Sequence, residues 1–244
     1  MPRFFVPSVN FSDDGVKICG DDARHIARSL RMAEGDTVTV CDMHGTEHEC
    51  RLARIRDEEC LCEIISSKKG ENEPPVKISL FMAYPKADKL EYIVQKAVEL
   101  GAAEIIPFES ERCIKRPAPE KAEKNTARLQ RIASEAAKQC GRSVLPTVAA
   151  PISYGEALKR GAVADLSIFC YEGDGTNSLK KILEAKPDAK TVSVVVGCEG
   201  GFSSKEAKMA EDAGFAMANL GARILRCETA PSFALSSIVY FFEL

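Results

Sequence analysis

Thr191-Val192-Ser193-Val194-Val195-Val196 runs into Gly197-Cys198-Glu199-Gly200-Gly201-Phe202-Ser203-Ser204, and this stretch decides the fold. A valine-rich run with little polar alternation reads as a strand buried on both faces, the kind that parallel sheets contain. The glycines then free the backbone, and Ser203 or Ser204 with Glu206 in the following turn reads as a helix start. Strand, glycine loop and helix make a place where a ligand can approach the main chain. The spacing is not G-x-G-x-x-G, and no Lys-Ser/Thr pair follows as in a phosphate loop. A carboxylate at Glu199 repels a phosphate and suits a neutral or cationic ligand with hydroxyls or an amine. S-adenosylmethionine has a sulfonium charge, a ribose, an amine and no phosphate, and fits better than ATP or NAD. Read alone, the loop is equally a tight structural turn with Glu199 in solvent.

Outward from this stretch the same rhythm continues. Strand-like runs at Val76–Tyr84, Glu104–Phe108, Val144–Val148, Leu166–Tyr171 and Phe215–Leu220 alternate with helical patterns. The helical patterns are Asp88–Leu100, Pro119–Gln139, Tyr154–Arg160, Asn177–Ala185, Ser204–Ala213 and Pro231–Phe242. This is an α/β arrangement with a mostly parallel sheet covered on both faces, and ligands in such folds sit at the C-terminal strand ends. Upstream the pattern differs. Short β-type runs at Arg3–Val6, Val16–Cys19, Thr37–Cys41, Glu49–Ile55 and Cys60–Ser66 are interrupted by one helical candidate, Asp21–Met32. They predict a small β-barrel over 1–72, a linker at Ser66–Pro75, and the α/β domain over 73–244.

Composition narrows the function. The 244 residues carry a net charge of -3, with 45% hydrophobic and 28% charged residues, which excludes a disordered chain and a globally basic nucleic-acid binder. No apolar run is long enough to span a membrane, and Met1–Gly20 has no apolar signal core, so a cytoplasmic location is expected. The ten cysteines form no C-x-x-C pair and read as reduced core residues. Cys41, His44, His48 and Cys50 do not match a zinc-finger spacing; a hairpin turn at Gly45 is expected there and no metal.

Two more strand-end loops stand beside the first in interest. Tyr171-Glu172-Gly173-Asp174-Gly175 is acidic and glycine-bearing. Leu220-Gly221-Ala222-Arg223-Ile224-Leu225-Arg226-Cys227-Glu228-Thr229-Ala230-Pro231 offers Thr229 as an N-cap, and its adjacent Ile224 and Leu225 need something to pack on, such as a base, a partner subunit or the core. From Arg112 to Arg142 nine Lys/Arg face three Glu, while residues 1–72 are net -4. Arg128, Arg131, Lys138 and Arg142 recur at helical spacing, as a ridge tracking an RNA backbone or a solvated helix face would. Phe202 either stacks on a base or plugs the core.

These loops together resemble the RsmE family of the SPOUT superfamily. The match rests on Gly197-x-Glu199-Gly200-Gly201-Phe202-Ser203 and Leu220-Gly221-x-Arg223-Ile224-Leu225-Arg226-x-Glu228-Thr229-Ala230. Arg3-Phe4-Phe5-Val6, His25 with Arg31, Gly35-Asp36, Lys89-Leu90-Glu91, Gln95-Lys96-Ala97, Glu99-Leu100-Gly101 and Ser134-Glu135-Ala136-Ala137-x-Gln139-x-Gly141-Arg142 extend it along the chain. Cys198 stands where the family usually has Pro, and Cys227 where it usually has Thr. The resemblance implies S-adenosylmethionine-dependent methylation of a uridine N3 in 16S rRNA, a C-terminal trefoil knot, a PUA-like N-terminal barrel and a homodimer. It implies donor binding by Tyr171, Glu172, Gly173, Gly197, Glu199, Gly200, Gly201, Leu220, Gly221, Ile224, Leu225, Thr229 and Ala230. Arg3, His25, Arg31, Arg128, Arg131 and Lys138 are the expected RNA contacts. Arg142 or Arg226 would stabilise a uracil anion, with Glu228 or Glu199 a base or an anchor. The alternatives are an RNA-binding assembly protein without catalysis, or a related enzyme with another RNA target.

Overall fold

In the computed structural model, which describes residues 1–12, 15–114, 116 and 119–244, the described chain forms two compact units. One comprises Met1–Glu73 with Ala137–Leu145, the other Pro74–Ala136 with Pro146–Leu244.

In the first unit, β1 (Arg3–Phe5), β2 (Phe11–Ser12), β3 (Gly15–Cys19), β4 (Thr37–Cys41), β5 (Thr46–Ile55) and β6 (Glu59–Lys69) form one sheet. Its order is β1-β4-β5-β6-β3-β2, and only β1 and β4 run parallel. Alternate positions point inward: Val16 and Ile18 on β3, Cys60 and Cys62 on β6, with Phe4 and Leu52 from β1 and β5. The short helix α1 (Asp21–Arg24) continues through a wider turn to Ser29 and closes this core with Ala23 and Ile26. The segment Ser66–Lys69, expected as linker, is instead the end of β6, paired across to Thr46–Glu49. Both its faces meet solvent, so it shows no hydrophobic alternation; main-chain pairing alone makes it a strand.

The second unit contains β7 (Lys77–Ala83), α2 (Lys89–Glu99), β8 (Ala102–Glu109), α3 (Pro119–Cys140), β9 (Thr147–Val148), β10 (Ile152–Ser153) and α4 (Tyr154–Gly161). They are followed by β11 (Leu166–Cys170), β12 (Asn177–Ser178), α5 (Leu179–Glu184), β13 (Thr191–Val196), α6 (Ser204–Asp212), β14 (Ala216–Asn219) and α7 (Thr229–Glu243). The described strands lie in the order β10-β8-β7-β13-β11-β14-β12, with β9 beside β8, and every pair is parallel. The valines of β13 are buried on both faces. Buried Ser167 and its register partner Ser193 both donate to the Gly161 carbonyl, at 2.8 and 2.7 Å, so their hydroxyls are satisfied in the core.

The order is what builds a site. β13 lies between β7 and β11, and β14 lies between β11 and β12. Hence the loops leaving β11, β13 and β14 emerge side by side at one end of the sheet. The loop after β13 ends in a capping box: Glu206 N–H donates to Ser203 Oγ at 3.3 Å and Ser203 N–H to Glu206 Oε2 at 2.9 Å. Ser203→Ala is expected to lower unfolding stability by about 1 kcal/mol, read as a shifted denaturant midpoint. The loop after β14 ends differently from expectation. Thr229 is the first residue of α7 rather than its cap, and the preceding Glu228 makes no side-chain cap bond. The Thr229 and Ala230 N–H groups instead donate to the Arg226 carbonyl, each at 2.9 Å.

Candidate functional site

A cavity of about 840 Å³ opens where the three loops meet. Its wall includes Tyr171, Glu172 and Gly173 after β11, residues 197–202 after β13, and residues 220–227 with Ala230 after β14. Lys89 from α2 and Arg112 also border it. Thirteen residues were expected at a donor site. All but Thr229 line this cavity, including Leu220, Gly221, Ile224 and Leu225. Ile224 is 80% exposed, an apolar side chain held at the wall with nothing covering it.

The glycines are needed for space as much as for freedom. A Cβ on Gly197 would stand 3.1 Å from the Phe202 ring and 3.2 Å from the Gly201 Cα. Gly201 has φ +61°, and its N–H closes the turn onto the Cys198 carbonyl at 2.9 Å. Phe202, weighed above as a base-stacking residue, is buried as core. Its ring centroid is 4.3 Å from that of Phe169 and 6.3 Å from that of Phe108. It forms the floor under the loop.

The charges are arranged around Lys89. Its Nζ lies 3.1 Å from Glu199 Oε1 and 3.0 Å from Glu228 Oε2. Burial pushes the Glu199 carboxyl up, but its own main-chain N–H, Lys89 and the Lys86 N–H outweigh this and hold it below the ordinary range. Glu228 is held low by the Cys227 thiol and by Lys89. Glu228 itself does not line the cavity; it reaches the site through Lys89. Arg112 donates from Nη1 to the Gly200 carbonyl at 2.9 Å. Arg226 is exposed on the wall. The wall therefore offers two carboxylates, Glu172 and Glu199, that can accept from an amine or hydroxyls, beside exposed backbone, apolar surface and the cations Lys89, Arg112, Arg223 and Arg226.

Residues 72–239 match the family model of the RNA methyltransferase domain, and residues 18–65 that of the RNA methyltransferase PUA domain. A Bacillus subtilis protein named ribosomal RNA small subunit methyltransferase E is 35% identical over 93% of this chain and 90% of its own length. The chain belongs to this methyltransferase family. A Neisseria gonorrhoeae family structure, bound to S-adenosylmethionine, superposes with a TM-score of 0.88 at 33% identity, covering 99% of this chain and 98% of that one. A Legionella pneumophila structure in complex with the same cofactor gives 0.85 at 28% identity, covering 97% and 96% of the two chains.

Arg142 and the residues expected to touch RNA are not among those that line the cavity. Arg142 is 4% exposed in the first unit, where its Nε and Nη2 grip Glu73 at 2.7–3.0 Å. Arg3 is ion-paired with Glu47 at 2.7 Å and donates to the Arg142 carbonyl at 3.1 Å. Lys138 reaches Asp22 at 2.7 Å. His25 and Arg31 are exposed on the first unit. Arg128 and Arg131 are exposed on α3, with Arg128 paired to Glu91 at 2.8 Å. Sequence reasoning named neither Lys89 nor Arg112 as site residues. Lys89 did leave a signal: a cation in the first turn of a helix opposes the macrodipole and calls for acidic partners. Among the described residues no group of three or more His, Cys, Asp or Glu is placed to hold a metal, and no helix is long and apolar enough to cross a membrane.

Proposed function

We propose that the chain transfers a methyl group from S-adenosylmethionine to N3 of a uridine in 16S ribosomal RNA. We further propose that it works in the cytoplasm as a homodimer. The observation that carries this reading is the convergence of three strand-end loops on one cavity with Glu199 in its wall, in a chain of this family. When bound, S-adenosylmethionine supplies an electrophilic methyl on a sulfonium. Glu199 would accept from the donor's amine or ribose hydroxyls, and the Gly197–Gly201 main chain would lie close against it. Ile224 and Leu225 would cover its apolar faces.

Uracil N3 carries a proton and is a weak nucleophile until that proton passes to water and the charge spreads over O2 and O4; N3 then takes the methyl from the sulfonium, which leaves as a neutral thioether. Arg226, exposed at the wall, is the cation assigned to that anion. Glu228 is assigned to holding the loop, because its Oε2 takes both Lys89 and the Cys227 thiol. A paired base hides N3, so the target is single-stranded or flipped out. His25, Arg31, Arg128 and Arg131 are exposed and suited to phosphates. Residues 1–72 would grip RNA and 73–244 hold the reacting groups. A trefoil knot in the latter is part of the same reading. Support for a second copy comes from α7, which buries Ala234, Leu235 and Ile238 but exposes Phe233 and Tyr240.

The test is nucleoside mass analysis of 16S rRNA from cells with and without this protein, backed by the purified protein with S-adenosylmethionine and small subunits. One additional N3-methyluridine is expected only where the protein is present. A methyl on another base or on a ribose would move the reading to a different target. Its absence, with the donor unbound, would leave an RNA-binding protein.

A further inference from the structure

Two carboxylates from different loops share one place in the cavity region, and this inference rests on the donor site proposed above. Glu199 follows β13 and Glu228 precedes α7, yet each has an oxygen about 3 Å from Lys89 Nζ. The two oxygens are thus no more than about 6 Å apart, close enough for each charge to raise the other's proton affinity. Lys89 stands in the first turn of α2, where the helix favours an acid. Its position makes sense through its partners rather than through its helix.

We propose that Lys89 is a positioning residue for the methyl donor: by bridging Glu199 and Glu228 it ties three segments together and presents the Glu199 carboxylate to the cavity. The surroundings agree. The Lys86 N–H donates to both Glu199 oxygens, at 3.1 and 3.2 Å, which fixes the carboxylate from the β7–α2 side. Cys227 Sγ lies 3.6 Å from Lys89 Nζ and 3.2 Å from Glu228 Oε2. Burial pushes that thiol up to about 12, so it stays protonated and donates to Glu228. The other charged groups on the wall are Glu172, 3.7 Å from where a Gly201 Cβ would lie, Arg112 on the Gly200 carbonyl, and Arg223 and Arg226.

With Lys89 present both carboxylates titrate below the ordinary glutamate range, so Glu199 stays charged as the medium becomes mildly acidic. Without Lys89 the pair repels itself and one member takes up a proton at higher pH. Donor binding that needs an ionised Glu199 is then lost on mild acidification. Ligand-free stability moves the other way. The deficit of the variant is largest where both carboxylates are charged and shrinks as the pH falls.

The experiment is calorimetric titration of the full chain with S-adenosylmethionine at about pH 8 and about pH 5.5, with thermal unfolding at the same values. Wild type and Lys89→Arg are expected to keep their affinity within about twofold, and Lys89→Met to lose about tenfold on acidification. Adding Glu228→Gln to Lys89→Met removes the repulsion and should flatten the pH dependence again. The thermal midpoint of Lys89→Met should trail wild type more at pH 8 than at pH 5.5. An equal loss of affinity at both pH values, with an unchanging thermal deficit, would make Lys89 a packing residue and overturn the proposal. Wild type that binds no donor at either pH, while Lys89→Met still shows the shrinking thermal deficit, would instead remove the donor site itself and with it the positioning role.

Discussion

Replacing Gly197 with valine is expected to weaken S-adenosylmethionine binding at least about a hundredfold, an amount worth roughly 3 kcal/mol. The reason is that neither neighbour can yield. A Cβ at position 197 would meet the Phe202 ring at 3.1 Å, and that ring is wedged against Phe169 in the core. The other neighbour, the Gly201 backbone, is held in a positive-φ turn. The loop must therefore shift as a body, and the cavity wall that residues 197–202 form changes shape. A stability loss of about 2 kcal/mol is expected alongside, typical of forcing volume into a packed site. Gly155→Ala is the control, since a Cβ there has nothing within 4 Å. Calorimetry on both variants checks the claim: wild-type affinity in the valine variant would show that the donor sits elsewhere.

Replacing Arg142 with alanine is expected to destabilise the first unit by about 2 kcal/mol, because it removes a buried guanidinium from the partly exposed carboxylate it grips and leaves its packing space empty. The partner is Glu73, which also accepts from the Ser143 and Val144 N–H groups at 2.8 and 3.1 Å. Ser143 in turn donates to Glu47 at 2.6 Å, and Glu47 holds Arg3. One substitution therefore loosens a connected set of charges at 3, 47, 73 and 142. Turnover is expected to fall with the folded fraction, and donor affinity per folded molecule to stay near wild type. Denaturant unfolding and calorimetry separate the effects. A variant as stable as wild type that transfers no methyl would place Arg142 in the chemistry, as its motif suggested.

What the sequence disclosed depended on whether the signal was local. The β13 loop was readable because its valines, glycines and the Ser203–Glu206 box follow one another along a few residues. The resemblance carried the same reading to the loops at Tyr171 and Leu220. The strand order was not readable, since nothing in β13 says that it lies between β7 and β11. Glu73 and Arg142 are 69 positions apart, so a basic helix end gave no sign that this guanidinium was buried. Lys89 and Glu228 are likewise distant, and only the misfit of a lysine at a helix start hinted at the bridge. Ser66–Lys69 looked like linker because a strand wet on both sides has no apolar face to betray it.

The position of β13 also bears on how the molecule is made. Until Thr191–Val196 leaves the ribosome, β7 and β11 have no neighbour on the sides they later share with it. The nascent chain must carry an incomplete sheet around β7 and β8 and an unpaired β11, whose other neighbour β14 comes later still, a state prone to pairing with other chains. Synthesis stopped before that strand would yield aggregation-prone product rather than a smaller working enzyme.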